Sequence, residues 1–231
     1  MMSESAGKLS NWWAFIRTLI SVAGVLILAQ VIRALLNWLG WRLVQPAPDG
    51  WVWEVLSMLS FLLTGAVLWL VLRPAGGDLG LGWGTMRRGG RVSVLAGGGV
   101  LTALLISSAL LDPSLLLANL HSVLVVPLFE EALFRGWGWS KLERSLPGWL
   151  AGFLTYLVIT GLFALWHLGY GDVVFLRGLE SQAAEPSLRV ILFYKVLVGG
   201  AVGLLAGFAR WRTGKLYWSF LLHGFWNMFG R

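Results

Sequence analysis

Long apolar runs separated by short polar breaks fill almost the whole chain: Trp12 to Leu36, Trp51 to Leu72, Val92 to Leu111, Leu115 to about Trp139, Trp149 to Leu168, Leu188 to Ala209 and Leu216 to Phe229. About 20 apolar residues rising 1.5 Å each cover a hydrocarbon core of roughly 30 Å. The pattern therefore predicts an all-α, polytopic transmembrane bundle of seven helices, with an eighth or re-entrant segment left open. The breaks carry turn chemistry, in the proline- and glycine-rich stretches 45–50, 73–78, 112–113 and 146–148. No internal repeat or low-complexity segment interrupts them, and residues 1–231 read as a single transmembrane domain.

Composition supports lipid as the solvent. Hydrophobic residues make up 57% of the 231 positions and charged residues 13%, against about 25% charged in a soluble domain. The net charge of +7 does not point to nucleic acid, because the basic residues fall between apolar runs rather than along one polar face. With the N-terminus in the cytoplasm, Lys8, Arg73, Arg87, Arg88, Arg91, Lys141, Arg144, Arg210, Arg212 and Lys215 lie inside. Only Arg42, Arg177, Arg189 and Arg231 then lie opposite, as the positive-inside rule prefers. Seven crossings would leave the C-terminus outside. The first run is longer than a signal peptide's apolar core of about 7–15 residues and contains Arg17 and Arg33, so it is expected to be a retained span. There is no cysteine, which removes disulfides, thiolate ligands and a cysteine nucleophile.

An ionisable residue at bilayer depth costs on the order of 2.5–3.5 kcal/mol on insertion scales. The fourth run nevertheless holds Glu130, Glu131 and Arg135. Glu131 and Arg135 are four apart with the acid first, the favourable order for an ion pair on one helix face. Glu130 projects about 100° away and is left to face a cavity. Pro127 removes a backbone donor, which bends the helix and strips the Val123 carbonyl of its usual partner. Phe163 sits one turn before His167, and His223 one turn before Asn227, so each pair shares a face. His121 falls about 180° from Glu130 and reads as a bystander. On ideal helices Glu130 and His167 differ in depth by on the order of 10–15 Å.

Two further features read as structural. Gly199, Gly203 and Gly207 form a packing seam, and the stretch from Asp78 through Trp83 to Arg91 is an interfacial connector rather than a phosphate loop. Lys195 lies about 10 Å into its span, within snorkelling reach; the functional alternative is attraction of a substrate's terminal carboxylate.

A single acid pair or histidine has a bland structural explanation. Polar clusters at helical spacing on three separate apolar runs do not, unless they meet, because lipid satisfies none of them. In order, Glu130-Glu131-x-x-x-Arg135, Phe163-x-x-x-His167 and His223-x-x-x-Asn227 resemble the motifs of the CAAX-protease and bacteriocin-processing family, which includes the Rce1-type prenyl-protein endopeptidases. The resemblance covers the last half of the chain, with residues 115–231 as the catalytic core. It implies an intramembrane endopeptidase that hydrolyses a peptide bond of a membrane-associated peptide or lipid-anchored protein without a covalent intermediate. By that resemblance Glu130 and His167 activate water, His223 and Asn227 bind the oxyanion, and Glu131, Arg135 and Phe163 support them. No cofactor is implied. The compact length resembles a bacterial member, expected in the cytoplasmic membrane.

The residues alone leave rivals open. Glu130, His167 and His223 also form a known catalytic zinc set. A non-catalytic immunity or scaffold protein could keep the cluster for helix association, and a proton-relaying transporter is a weaker third.

Overall fold

A computed structural model describes residues 2–47, 50–146, 149–178 and 187–230. Part of the 45–50 break, the Pro147–Gly148 break and Arg231 lie outside the described residues. Seven helical rods are present among the described residues, and no strand. They are α1 (Met2–Val44), α2 (Trp51–Leu72), α3 (Arg88–Leu111), α4 (Leu115–Glu143), α5 (Trp149–Trp166), α6 (Leu188–Thr213) and α7 (Leu216–Phe229). α5 runs on through a 3-10 turn, His167–Tyr170, into a helical stretch Gly171–Gly178.

Six of the rods are long and apolar enough to cross a membrane. The seventh expected crossing, α7, has 14 residues and spans about 21 Å, short of the hydrocarbon thickness. It packs against α3, α4 and α6 inside the bundle, so the inference of an outside C-terminus from seven crossings does not carry over.

The distribution of polarity is that of a lipid-soluble fold. Ile20, Ile27, Leu70, Leu110 and Leu111 are largely exposed, while Arg33, Asn37, Thr64, Glu130, Glu131, Arg135, Arg210 and His223 are buried. Apolar side chains face outward because the surrounding solvent is hydrocarbon, and polar groups turn inward because only the protein can satisfy them. The main apolar core joins α1, α4 and α5 through Val22, Leu26, Phe134, Trp137, Phe163 and Trp166.

The segment between α2 and α3 folds back as the expected connector. Its Gly80 carbonyl accepts the Leu216 N–H at 3.3 Å, and its Asp78 carbonyl accepts the Ser140 hydroxyl, tying the start of α7 and the end of α4 together. Gly80 has φ +72, and a Cβ there would meet the Arg210 guanidinium at 2.3 Å, so both conformation and space require glycine.

α4 departs from an ideal helix. π-helical segments Leu120–Val125 and Ala132–Gly138 flank the α-turn Val126–Glu131 that carries both acids. Such bulges reorient side chains and free carbonyls. Pro127 was expected to orphan Val123, but the Val126 N–H bonds His121 O, five residues back. In that register the missing Pro127 N–H falls opposite Ser122, whose carbonyl instead accepts a 2.7 Å hydrogen bond from Asn227 Nδ2.

Candidate active site

The two acids face different helices, as their 100° separation requires. Glu131 is fully buried, and its Oε1 accepts from Arg135 at 3.0 Å and from His223 Nδ1 at 2.9 Å. Arg135, equally buried, also donates to the Gly203 carbonyl at 3.3 Å and lies 4.0 Å from the Phe163 ring centroid. A guanidinium is matched by one carboxylate, one carbonyl and one aromatic face, joining α4, α5 and α6.

Glu130 turns toward α5. Its Oε1 accepts from Trp166 Nε1 at 2.7 Å and from the Tyr170 hydroxyl. Its Oε2 is buried with no hydrogen-bond partner and lies 3.8 Å from His223 Nε2. Each carboxylate thus commits one oxygen and keeps Oε2 buried without a hydrogen-bond partner, but only Glu131 is paired with a guanidinium, and only the free Glu130 oxygen lies beside His223 Nε2.

Hydrogen bonding fixes the imidazoles. His167 Nδ1 lies 2.8 Å from the Phe163 carbonyl, an acceptor only, so Nδ1 carries the proton and the neutral ring keeps its lone pair on Nε2. The same reasoning at the Glu131 carboxylate protonates His223 Nδ1 and turns Nε2 toward Glu130. Phe163 packs edge-on against His167 at 4.9 Å and His223 at 5.7 Å between centroids. Glu130 and His223 lie within electrostatic reach of the His167 ring.

The expected depth mismatch between Glu130 and His167 is absent, since Glu130 is hydrogen-bonded to Trp166 and Tyr170 on either side of His167 in sequence. α4 is bulged, and α5 continues beyond the apolar run that defined its expected end. Asn227 is half-buried one turn beyond His223, with one amide hydrogen spent on Ser122. His121 is paired with Glu54 at 2.8 Å and packed on Phe61. Lys195 lies with its ammonium 5.7 Å from the Tyr170 ring centroid. Among the described residues no three histidine, aspartate or glutamate side chains are grouped so as to hold one metal ion.

The sequence pattern missed Trp166, Tyr170 and Arg33. Tryptophan in an apolar run reads as core, and Tyr170 lies beyond that run. Arg33 was legible by the test that singled out Glu130, as a charge at bilayer depth.

Fold and cluster together define a class: an integral membrane protein of many helices whose acid and imidazole groups are gathered away from lipid. The family model for Type II CAAX prenyl endopeptidase, Rce1-like, matches residues 112–229. The chain belongs to this family of membrane-embedded proteases. No curated protein and no solved structure matches it.

Proposed function

We propose that the protein is an intramembrane endopeptidase that cleaves membrane-associated peptides or lipid-anchored proteins with water activated by Glu130 and His167. The observation that carries this is the unpartnered Glu130 Oε2, buried beside His223 Nε2 while Oε1 is held by two donors. A water between that oxygen and His167 Nε2 gives up a proton as its oxygen attacks the scissile carbonyl. The oxyanion is stabilised by the second Asn227 amide hydrogen and by His223 Nε2 when the ring is doubly protonated. The proton taken from water then passes to the leaving amine, and Glu131 and Arg135 keep His223 aligned throughout.

In this reading the N-terminus is cytoplasmic and the mechanism needs no metal. Exhaustive chelation is expected to leave activity intact; loss that zinc restores would reassign the chemistry. The function itself is tested by comparing the proteomes of membranes containing the wild type or Glu130→Gln. A cleavage product confined to the wild type is expected. Full cellular activity of an equally inserted Glu130→Gln would favour the immunity or scaffold alternative.

A further inference from the structure

α1 lies outside residues 112–229, the stretch matched by the family model, yet a fully buried charge on it, Arg33, is directed at the site. Arg33 is 1% exposed. It donates to Asp172 Oδ1 at 2.6 Å, to the Gly169 carbonyl at 3.0 Å and to Gln30 Oε1 at 3.0 Å. Its guanidinium carbon lies 5.0 Å from the Tyr170 ring centroid. Gln30 in turn donates to the Trp166 carbonyl at 3.4 Å, and Asn37 to Asp172 Oδ2 at 3.3 Å. The partners of this network at the end of α5 and in its continuation, Trp166, Gly169 and Asp172, span the 3-10 turn where the α-helix gives way.

A 3-10 turn has poorer internal hydrogen bonding than an α-helix and needs outside support to hold one geometry. Here that geometry decides where Tyr170 points. Its hydroxyl donates to Glu130 Oε1, and Trp166 Nε1, which reaches the same oxygen, also lies 3.2 Å from the Tyr170 hydroxyl. Two donors on one carboxylate oxygen fix the rotation of the group, and only Oε2 is left for water.

We infer that Tyr170, braced by Arg33 and Asp172, is a positioning residue that locks the Glu130 carboxylate so that Oε2 alone faces the reacting water. This rests on the proposed role of Glu130, and Tyr170 acts only through it. The brace comes from α1, so the first helix contributes to catalytic geometry as well as to anchoring.

The test uses full-length protein in lipid nanodiscs and infrared difference spectroscopy. The carboxyl stretching band of Glu130 is assigned by its disappearance in Glu130→Gln. Loss of a hydroxyl donor changes the carboxyl frequencies, raising the C=O stretch of a protonated group and altering the antisymmetric–symmetric splitting of an ionised one, so Tyr170→Phe is expected to shift the band, and Arg33→Met to shift it in the same direction. Trp166→Phe removes the other donor and serves where Arg33→Met does not fold. Cleavage by Tyr170→Phe of the precursor of the wild-type-specific product is expected to fall about tenfold to a hundredfold in kcat, as for a hydrogen bond to a charged group, with KM little changed. A Glu130 band at the wild-type frequency in Tyr170→Phe overturns the inference, since a merely structural tyrosine would lower the melting temperature and leave the band in place. The band assignment does not depend on peptidase activity, so an active Glu130→Gln would refute the proposed function separately.

Discussion

Arg135 and Glu131 are both fully buried, and each is the other's main electrostatic partner. Breaking a buried pair on one side leaves an uncompensated charge at a cost of about 3–5 kcal/mol. Arg135→Met is therefore expected to lower the thermal midpoint strongly as well as abolish turnover, and an unchanged midpoint would show that Glu131 finds another partner. Asn227 carries a structural duty that its spacing from His223 did not reveal. Its side chain satisfies the Ser122 carbonyl, so Asn227→Ala should cost about 1–3 kcal/mol of stability through the unsatisfied group, besides its effect on rate. Four-residue spacing made the pairs Glu131 and Arg135, Phe163 and His167, and His223 and Asn227 legible in the sequence, since each lies within one helix. The donors to Glu130 come from a different helix, and nothing local to residue 130 announces them.

At the scale of elements, the glycine seam turns out to shape the site. A Cβ on Gly199 would lie 2.4 Å from His167 Nδ1, whereas one on Gly200 would meet nothing nearer than the Ala164 methyl at 3.8 Å. Gly199→Ala is expected to displace the imidazole and lower kcat at least tenfold, on the order of what misplacing a catalytic group costs, while Gly200→Ala remains near wild type. Equal activity of the two would mean that the His167 position is not critical. The seam was legible as packing, but its contact with His167 was not, because helix pairing is set by tertiary structure. The π segments of α4 were also hidden, although Pro127 marked the place where the helix had to adjust.

The connector offers a pH test. Asp78 accepts a hydrogen bond from the Arg144 guanidinium at 2.5 Å, which holds its carboxyl below the ordinary value of 3.8. A depressed carboxylate contributes stability that is present above that ordinary value and is lost as pH falls through the lowered one. The stability difference between wild type and Arg144→Gln should be constant across neutral pH, small because the pair is partly exposed, and vanish in strong acid. A difference that grew on acidification would contradict the pairing.

For the whole molecule, run length and hydropathy were enough to reveal the helical class and the positions of the rods. They could not separate a crossing helix from α7, because apolar character marks burial in protein as readily as burial in lipid. The absence of cysteine makes the proposed orientation directly measurable. Thr85→Cys, in the connector between α2 and α3, should react with an impermeant maleimide only from the cytoplasmic side, and Ser114→Cys, at the α3–α4 break, only from the other. The reverse pattern would invert the topology.

The convergence of three helices has catalytic meaning only if Glu130 takes the proton from water. The most direct measurement is turnover of the wild-type-specific product's precursor by purified, reconstituted wild type and Glu130→Gln at matched folding. Loss of about 10²- to 10⁴-fold, the range for a positioned acid–base group, is predicted. A Glu130→Gln enzyme within a few fold of wild type would contradict the assignment.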